Sequence, residues 1–351
     1  MPTSAFTHKE RLRRAFNHQP VDRLPTQINY TSRMGEKLSA HFGVPPDSLS
    51  SALDNHLVRL DLSHPQRLSP DGSTRFDWWG AGHATGEEGY FISHSPLSGS
   101  KDLDSYPWPD PHSPGLLDGA RQTVAQFGSE FFITPNLGFA LFERAWSLRG
   151  FEQFLLDLAL DPSFAAELLE RITQIQVVLI ERYLELGVDG AYFGDDYGAQ
   201  KGPIFSPATW RLLFKPRLER MFAPFRQRGL PVILHSDGAI QKILPDLLEI
   251  GLTVLNPVQP EVLDHAWLAE SFAGRLAFYG GISTQTVLPS GSPAQVRAAV
   301  STCRRQLAPD STGLLLAPSH RMLTDIPLDN VTALIESFRS PIMPAGDSNS
   351  R

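Results

Sequence analysis

The sequence predicts an α/β protein: a single (β/α)8 TIM barrel with an elaborated N-terminal excursion. Three observations predict it. Short apolar runs recur, and they are continuous rather than alternating, as in strands buried on both faces. From residue 131 onward these runs alternate with longer helical patterns, the order of a parallel βα fold. Nearly every run ends in a polar or glycine-bearing tail, and no G-x-G-x-x-G is present. A doubly wound sheet would show one Gly-rich first turn, whereas a barrel builds its site from the C-terminal ends of many strands.

The runs read in order as strands. They are "RLPTQINY" (23–30), a weaker "HLVRLDLS" (56–63), "FFITPNLG" (131–138), "GAYFGDD" (190–196), "PVILHSDG" (231–238), "TVLNPVQP" (253–260), "LAFYGGIS" (276–283) and "GLLLAPSH" (313–320). A helix is expected over 161–187, with Asp161-Pro162 as N-cap and N1 and Gly187 as its stop. A second is expected over 206–229, with Pro216 kinking or splitting it. "AIQKILPDLLEIG" and "SPAQVRAAVSTCRRQLAPD" follow the same logic. The region 64–125 is rich in Pro, Gly, Ser, His and Trp and is longer than a normal connection, so it reads as an excursion covering the barrel's face. No linker divides the chain. Residues 1–340 read as one barrel domain and 341–351 as a frayed tail.

Composition excludes several classes of function. The chain has 351 residues, 41% hydrophobic and 20% charged, with a net charge of -7. No basic patch stands out, which disfavours nucleic acid as a partner. No apolar run approaches the roughly 20 residues of a membrane helix, and the N-terminus lacks the apolar segment of a secretory signal. Cys303 is the only cysteine. An internal disulfide, a CxxC pair and an all-cysteine metal site are therefore impossible, and a cytoplasmic location is the simplest expectation.

The chemistry lies in the strand tails. His235 and Asp237 stand at i and i+2 on one strand end, so both side chains project to the same side. They read as a pair of metal ligands for Zn, Mn, Fe or Mg, with His320, Asp195 or Glu143 as a third. They also read as a histidine acid/base oriented by a carboxylate, or as a plain helix cap. In "GDDYG", the adjacent carboxylates of Asp195 and Asp196 point to opposite sides, so at most one faces the pocket; Asp195 is the expected catalytic group and Tyr197 a substrate contact. A solvated turn is the bland alternative. Glu143 lies among Phe142, Ala145 and Trp146, as ligand, base or ion-pair partner of Arg144 or Arg149. Asn136 and Asn256 end strands as substrate contacts. Arg33 can grip a carboxylate in a bidentate contact. His320 ends the last strand with an imidazole suited to proton transfer. Trp78, Trp79 and Tyr90 read as packing of the excursion ahead of substrate stacking.

Four stretches, "KERLRRAFNHQPVDRLP", "HSDGAIQKILPDLLEIGLTVLNPVQPE", "FYGGISTQTVLP" and "LLLAPSHRMLTDIPLDNVTALIESF", resemble the uroporphyrinogen decarboxylase superfamily. The resemblance covers essentially the whole chain and is most specific from about residue 185 onward. It implies a barrel and one of two chemistries. The decarboxylases remove acetate carboxyls from a tetrapyrrole without a cofactor. Relatives such as methylcobalamin:coenzyme M methyltransferases use a zinc-activated thiol. This sequence departs from both. Where the decarboxylases carry "RQAGR", it reads "INYTSRMGEK" with the single Arg33, which weighs against a tetrapyrrole. Where the methyltransferases carry His-x-Cys-Gly, it reads His235-Ser236-Asp237-Gly238. Late in the chain Ser319-His320 stands where the methyltransferases have a cysteine, and His320 matches a histidine of the decarboxylases.

The sequence therefore leads to an enzyme of an atypical subgroup. The first expectation is a carboxy-lyase acting on a carboxylated small molecule, with Arg33 orienting a carboxylate and Asp195 or His320 supplying a proton. The alternative is a metal-dependent methyltransferase or demethylase partnered with a corrinoid protein, its divalent metal on His235, Asp237 and Glu143. A non-catalytic binding barrel is the third class. Barrels of this sort often dimerise, so a homodimer is a further expectation.

Overall fold

The computed structural model describes residues 6–86 and 91–340. Tyr90 and the tail 341–351 lie outside them. The fold is α/β and divides into two compact units. One comprises Val58–Ser129 and Ile133–Asn256, the other Met1–Leu57, Glu130–Phe132 and Pro257–Arg351.

The first unit is built on strands β1 (Leu57–Leu60), β2 (Phe132–Gly138), β3 (Ala191–Gly194), β4 (Val232–His235) and β5 (Val254–Asn256), adjacent in that order. β2 and β3, β3 and β4, and β4 and β5 pair in parallel. Continuous apolar runs such as Val232-Ile233-Leu234 are fully buried, as strands covered on both faces require. The register sets Asn136 beside Tyr192, and His235 between Gly194 and Asn256. The polar strand ends therefore meet at one level.

The helices follow their caps. Pro162–Leu184 starts where the Asp161 carboxylate accepts the Phe164 N–H at 3.2 Å. The expected helix over 206–229 is two helices, Pro207–Leu213 and Lys215–Gln227, broken at Phe214 with Pro216 in the first turn of the second. Proline at that point costs no intrahelical bond. The helix expected over 239–251 is confined to Leu244–Glu249, again with a proline, Pro245, in its first turn.

The stretch read as an excursion holds a four-stranded antiparallel sheet of Arg67–Leu68, Thr74–Phe76, Gly82–Ala84 and Ile92–His94. Trp79 is buried with the Arg144 guanidinium 5.2 Å from its ring centroid, the packing role expected of the tryptophans. The loop after this sheet is held by one buried side chain. Arg149 donates to the carbonyls of Leu97 (2.6 Å), Ser98 and Ser100 (both 3.2 Å) and pairs with Asp157 at 2.6 Å.

The second unit contains the parallel pair β6 (Ala277–Ile282) and β7 (Leu314–Pro318). The strand expected over 23–30 is realised differently. It pairs with the 314–322 segment at two isolated parallel bridges, Thr26 to Leu316 and Tyr30 to Met322, with backbone bonds such as Gln27 N–H to the Leu316 carbonyl at 2.9 Å. Pro25 has no N–H to give a ladder. The Ile28 N–H is taken by the Asn55 side chain at 2.7 Å, and Gln27 Oε1 accepts from the His56 and Leu57 backbone. Side chains thus replace much of the ladder. Cys303 is buried in helix Pro293–Leu307.

Truncating Arg149 would leave the buried Asp157 without its 2.6 Å partner, with only Lys101 at 3.6 Å as a cation, and would remove the side-chain donor from the Leu97, Ser98 and Ser100 carbonyls. Arg149→Leu is expected to cost about 3–5 kcal/mol. Urea denaturation checks this, and a midpoint unchanged within error would contradict it.

Candidate active site

The first unit gathers its polar groups at the strand ends, and the key element is the turn after β3. Its backbone continues the ladder one residue further, with the Asp195 N–H on the His235 carbonyl at 2.9 Å. The Asp195 side chain then turns away from β4 toward helix Phe142–Arg149. That helix has no capping side chain of its own at Leu141. Asp195 supplies one from across the sheet, accepting the N–H groups of Leu141 (3.2 Å), Phe142 (3.0 Å) and Glu143 (2.8 Å) and the Tyr197 hydroxyl. Three otherwise unmatched donors and the positive end of the helix dipole meet one carboxylate. Asp195 has no exposed surface. Burial pushes its carboxyl up to about 6, while the donors of Glu143, Tyr197 and Phe142 pull the other way.

Tyr197 completes this arrangement. Its ring is buried among Phe142, Phe205, Trp210 and Phe214, and its N–H donates to Ser236 Oγ at 3.0 Å. The structure thus places Asp195 and Tyr197 in the frame of the site.

The neighbouring carboxylate faces the other way. Asp196 Oδ1 accepts the Asp237 N–H at 2.8 Å and lies 3.9 Å from His235 Nε2. Asp237 Oδ1 is also 3.9 Å from that nitrogen. The chain reaches this geometry because two glycines touch. Gly238 has φ +80, and a Cβ there would stand 2.4 Å from the Gly198 carbonyl carbon. This contact lays the turn at 198–203 against "HSDG".

The Glu143 carboxyl is raised well above the carboxylate range, first by burial and then by Asp196 and Asp195, with Arg144 opposing. The two arginines it could have paired with are engaged elsewhere, Arg144 on Asp77 at 2.5 Å and Arg149 on Asp157. The Glu143 carboxyl is therefore biased toward its protonated form beside the Asp196 carboxylate.

His235 is held from its other nitrogen. Nδ1 lies 2.7 Å from Asn256 Oδ1, which also accepts the Tyr192 hydroxyl at 3.1 Å. The Arg59 guanidinium lies 4.6 Å from the Tyr192 ring centroid. Asn136 donates to Asp61 at 2.7 Å. Three of these residues, Arg59, Asp61 and Tyr192, are not among the expected site residues, and of the Asp195–Asp196 pair it is Asp196, not the expected Asp195, that faces His235. Arg59 and Asp61 carry a legible signal, since they stand two apart in the otherwise apolar "HLVRLDLS".

Two expected site residues belong to the second unit. His320 follows β7 and is exposed, next to the buried Ser319. Arg33 is exposed in the first turn of helix Ser32–Phe42.

The donor set around His235 suits a divalent cation. Two ligand atoms each about 2.1 Å from one tetrahedral ion lie about 3.4 Å apart. The 3.9 Å separations of Nε2 from Asp196 and Asp237 are within a small side-chain rotation of that. A thiolate is not to be had: the Cys303 thiol is pushed up to about 12 by burial. A second histidine-carboxylate group, His8, Asp54 and His56, does not fit a cation. His8 is spent on Asp54 (3.0 Å) and Glu130 (2.5 Å), and the guanidiniums of Arg23 and Arg11 stand against Asp54 and His56. It is an interlock that ties the N-terminal helix down.

The family model for uroporphyrinogen decarboxylase (URO-D) matches residues 82–341. A curated uroporphyrinogen decarboxylase from Nocardia farcinica is 26% identical over 254 residues, 69% of this chain and 68% of the relative. Another from Thermus thermophilus is 28% identical over 175 residues, 48% of this chain and 46% of the relative. A solved methyltransferase from Methanosarcina mazei superposes with a TM-score of 0.68 at 20% identity, covering 95% of this chain and 98% of its own, and so shares the fold.

Two outcomes follow for the site's frame. Gly238→Ala is expected to cost about 2–4 kcal/mol, because it adds both a strained φ and a backbone clash; thermal melts check this. Asp195 is more basic folded than unfolded, so the folded chain takes up its proton first. That contribution is present at low pH and is lost as pH rises through about 6. Wild type should therefore gain on Asp195→Asn by on the order of 2 kcal/mol between pH 6 and 4. Melts by circular dichroism at half-unit steps measure it, and parallel curves would refute it.

Proposed function

Since the chain belongs to the uroporphyrinogen decarboxylase family, we propose that it is a metal-dependent barrel enzyme of the methyl-transferring or demethylating kind, working with a corrinoid protein. The observation that carries this reading is the placing of two carboxylates, Asp196 and Asp237, 3.9 Å from one imidazole nitrogen of His235. A site built to hold a polycarboxylate would set cations there. This one sets anions, which attract a cation instead. The fold shared with a methyltransferase supports the same direction.

In this reading His235 and Asp237 hold a divalent ion, Zn, Mn or Fe. Such an ion, when bound, supplies Lewis acidity and lowers the pKa of what it binds. The chain's own residues do the rest. Glu143 stores a proton at the buried side of Asp196. It would give that proton to the heteroatom as the carbon–heteroatom bond breaks and its electron pair stays on the heteroatom, the methyl group going to the partner's corrinoid in its reduced, nucleophilic form. Asp195 keeps Glu143 in place through the helix N-terminus. Asn136 and Asn256 set the polar lining between the strand ends.

The family match and the curated decarboxylases favour a second reading, decarboxylation of a small carboxylate. There the Glu143 proton replaces carbon dioxide on carbon.

The test is metal content per chain by inductively coupled plasma mass spectrometry, on protein purified without chelators. Near-stoichiometric Zn, Mn or Fe in wild type, lost in His235→Ala, is the expected result. No metal after incubation with all three would overturn the first reading. Carbon dioxide release from carboxylated substrates by the metal-free chain would then establish the second.

A further inference from the structure

The first unit also holds a device that sets which nitrogen of His235 carries the proton. A neutral imidazole carries its proton on one ring nitrogen and offers a lone pair on the other, and the partner of the protonated nitrogen decides between them. His235 lies beside Asn256 in the parallel register of β4 and β5. Asn256 is buried, and its Oδ1 lies 2.7 Å from His235 Nδ1. The Tyr192 hydroxyl donates to the same oxygen at 3.1 Å, and the Tyr192 ring is tilted 30° from the imidazole with centroids 6.4 Å apart. An amide oxygen already accepting from a hydroxyl can only accept from the imidazole as well.

The carboxylates of Asp196 and Asp237 compete for the proton from the other side. At 3.9 Å they lie beyond hydrogen-bond length from Nε2. A part-buried 2.7 Å hydrogen bond outweighs two contacts that lie beyond hydrogen-bond length.

We infer that Asn256, itself steered by Tyr192, is a positioning residue that locks His235 as the Nδ1–H tautomer and turns its Nε2 lone pair toward Asp196 and Asp237. Asn256 then acts through His235 rather than on substrate. The inference rests on the proposed role of His235 as ligand, and metal-binding histidines need such a partner on the second nitrogen.

The experiment labels the histidines with 15N and reads long-range 1H–15N correlations at alkaline pH, where imidazoles are neutral. His235→Gln identifies the His235 signal among the eleven histidines. The expected wild-type pattern is a protonated Nδ1 and an unprotonated Nε2. Asn256→Leu should lose that single pattern, and Asn256→Asp, which keeps an accepting oxygen, should retain it. Tyr192→Phe keeps the fold's apolar contact and should give a mixture of tautomers. Zinc affinity should fall about 10–100-fold in Asn256→Leu and recover in Asn256→Asp. A proton on Nε2 in wild type, or a pattern unmoved in both Asn256→Leu and Tyr192→Phe, would overturn the inference. If the wild-type chain binds no zinc while the tautomer still follows Asn256, the ligand reading fails and the positioning device stands.

Discussion

The site depends on one buried carboxylate. Asp195 sits at the end of β3 and caps a helix that begins after β2. Without it, three N–H groups at that helix start would face the interior unmatched. With it, the turn after β3 is tied to the turn after β2. Three consequences follow. Glu143 is carried by the capped helix to a place beside Asp196. The Tyr197 ring is pulled into the aromatic cluster. Asp196, one residue on, is left pointing toward His235.

This shows why two adjacent aspartates have different work. A strand alternates its side chains, so the pair must split between two sides. The side with orphan N–H groups takes the carboxylate that can stabilise them, and burial then raises its pKa. The side with an imidazole takes the other. Burial, and after it the nearness of Asp196 and Asp195, raises the Glu143 carboxyl as well. The structural cap is thus one of the groups that favour the protonated form of a neighbouring acid. Frame and chemistry share the same residues, and changes in Asp195 reach Glu143 without touching a substrate.

Much of this is legible in the sequence, but unevenly. Continuous apolar runs mark β2 to β7 because a strand buried on both faces has nothing else in it. Prolines mark the helix starts, and Pro216 marks a break. The first run, 23–30, fails as a strand for reasons that lie far off in the chain: Asn55 takes a backbone donor there, and no local pattern announces it. "HSDG" is legible as a strand tail carrying His235 and Asp237. The choice between Asp195 and Asp196 is not legible, because it turns on whether helix Phe142–Arg149 brings its own cap. A long-range partner decides it.

Tyr192 poses the same problem in another form. It reads as an ordinary member of an apolar run, and only the parallel register gives it a neighbour. Once Tyr192 lies beside His235 and Asn256, its hydroxyl has one oxygen to meet. The amide then has one way to face, and the imidazole one nitrogen to protonate. Three residues from three strands settle a single proton. Orientation of His235 thus comes from Tyr192 on β3 and Asn256 on β5, and residue 237, two positions on, takes no part in it.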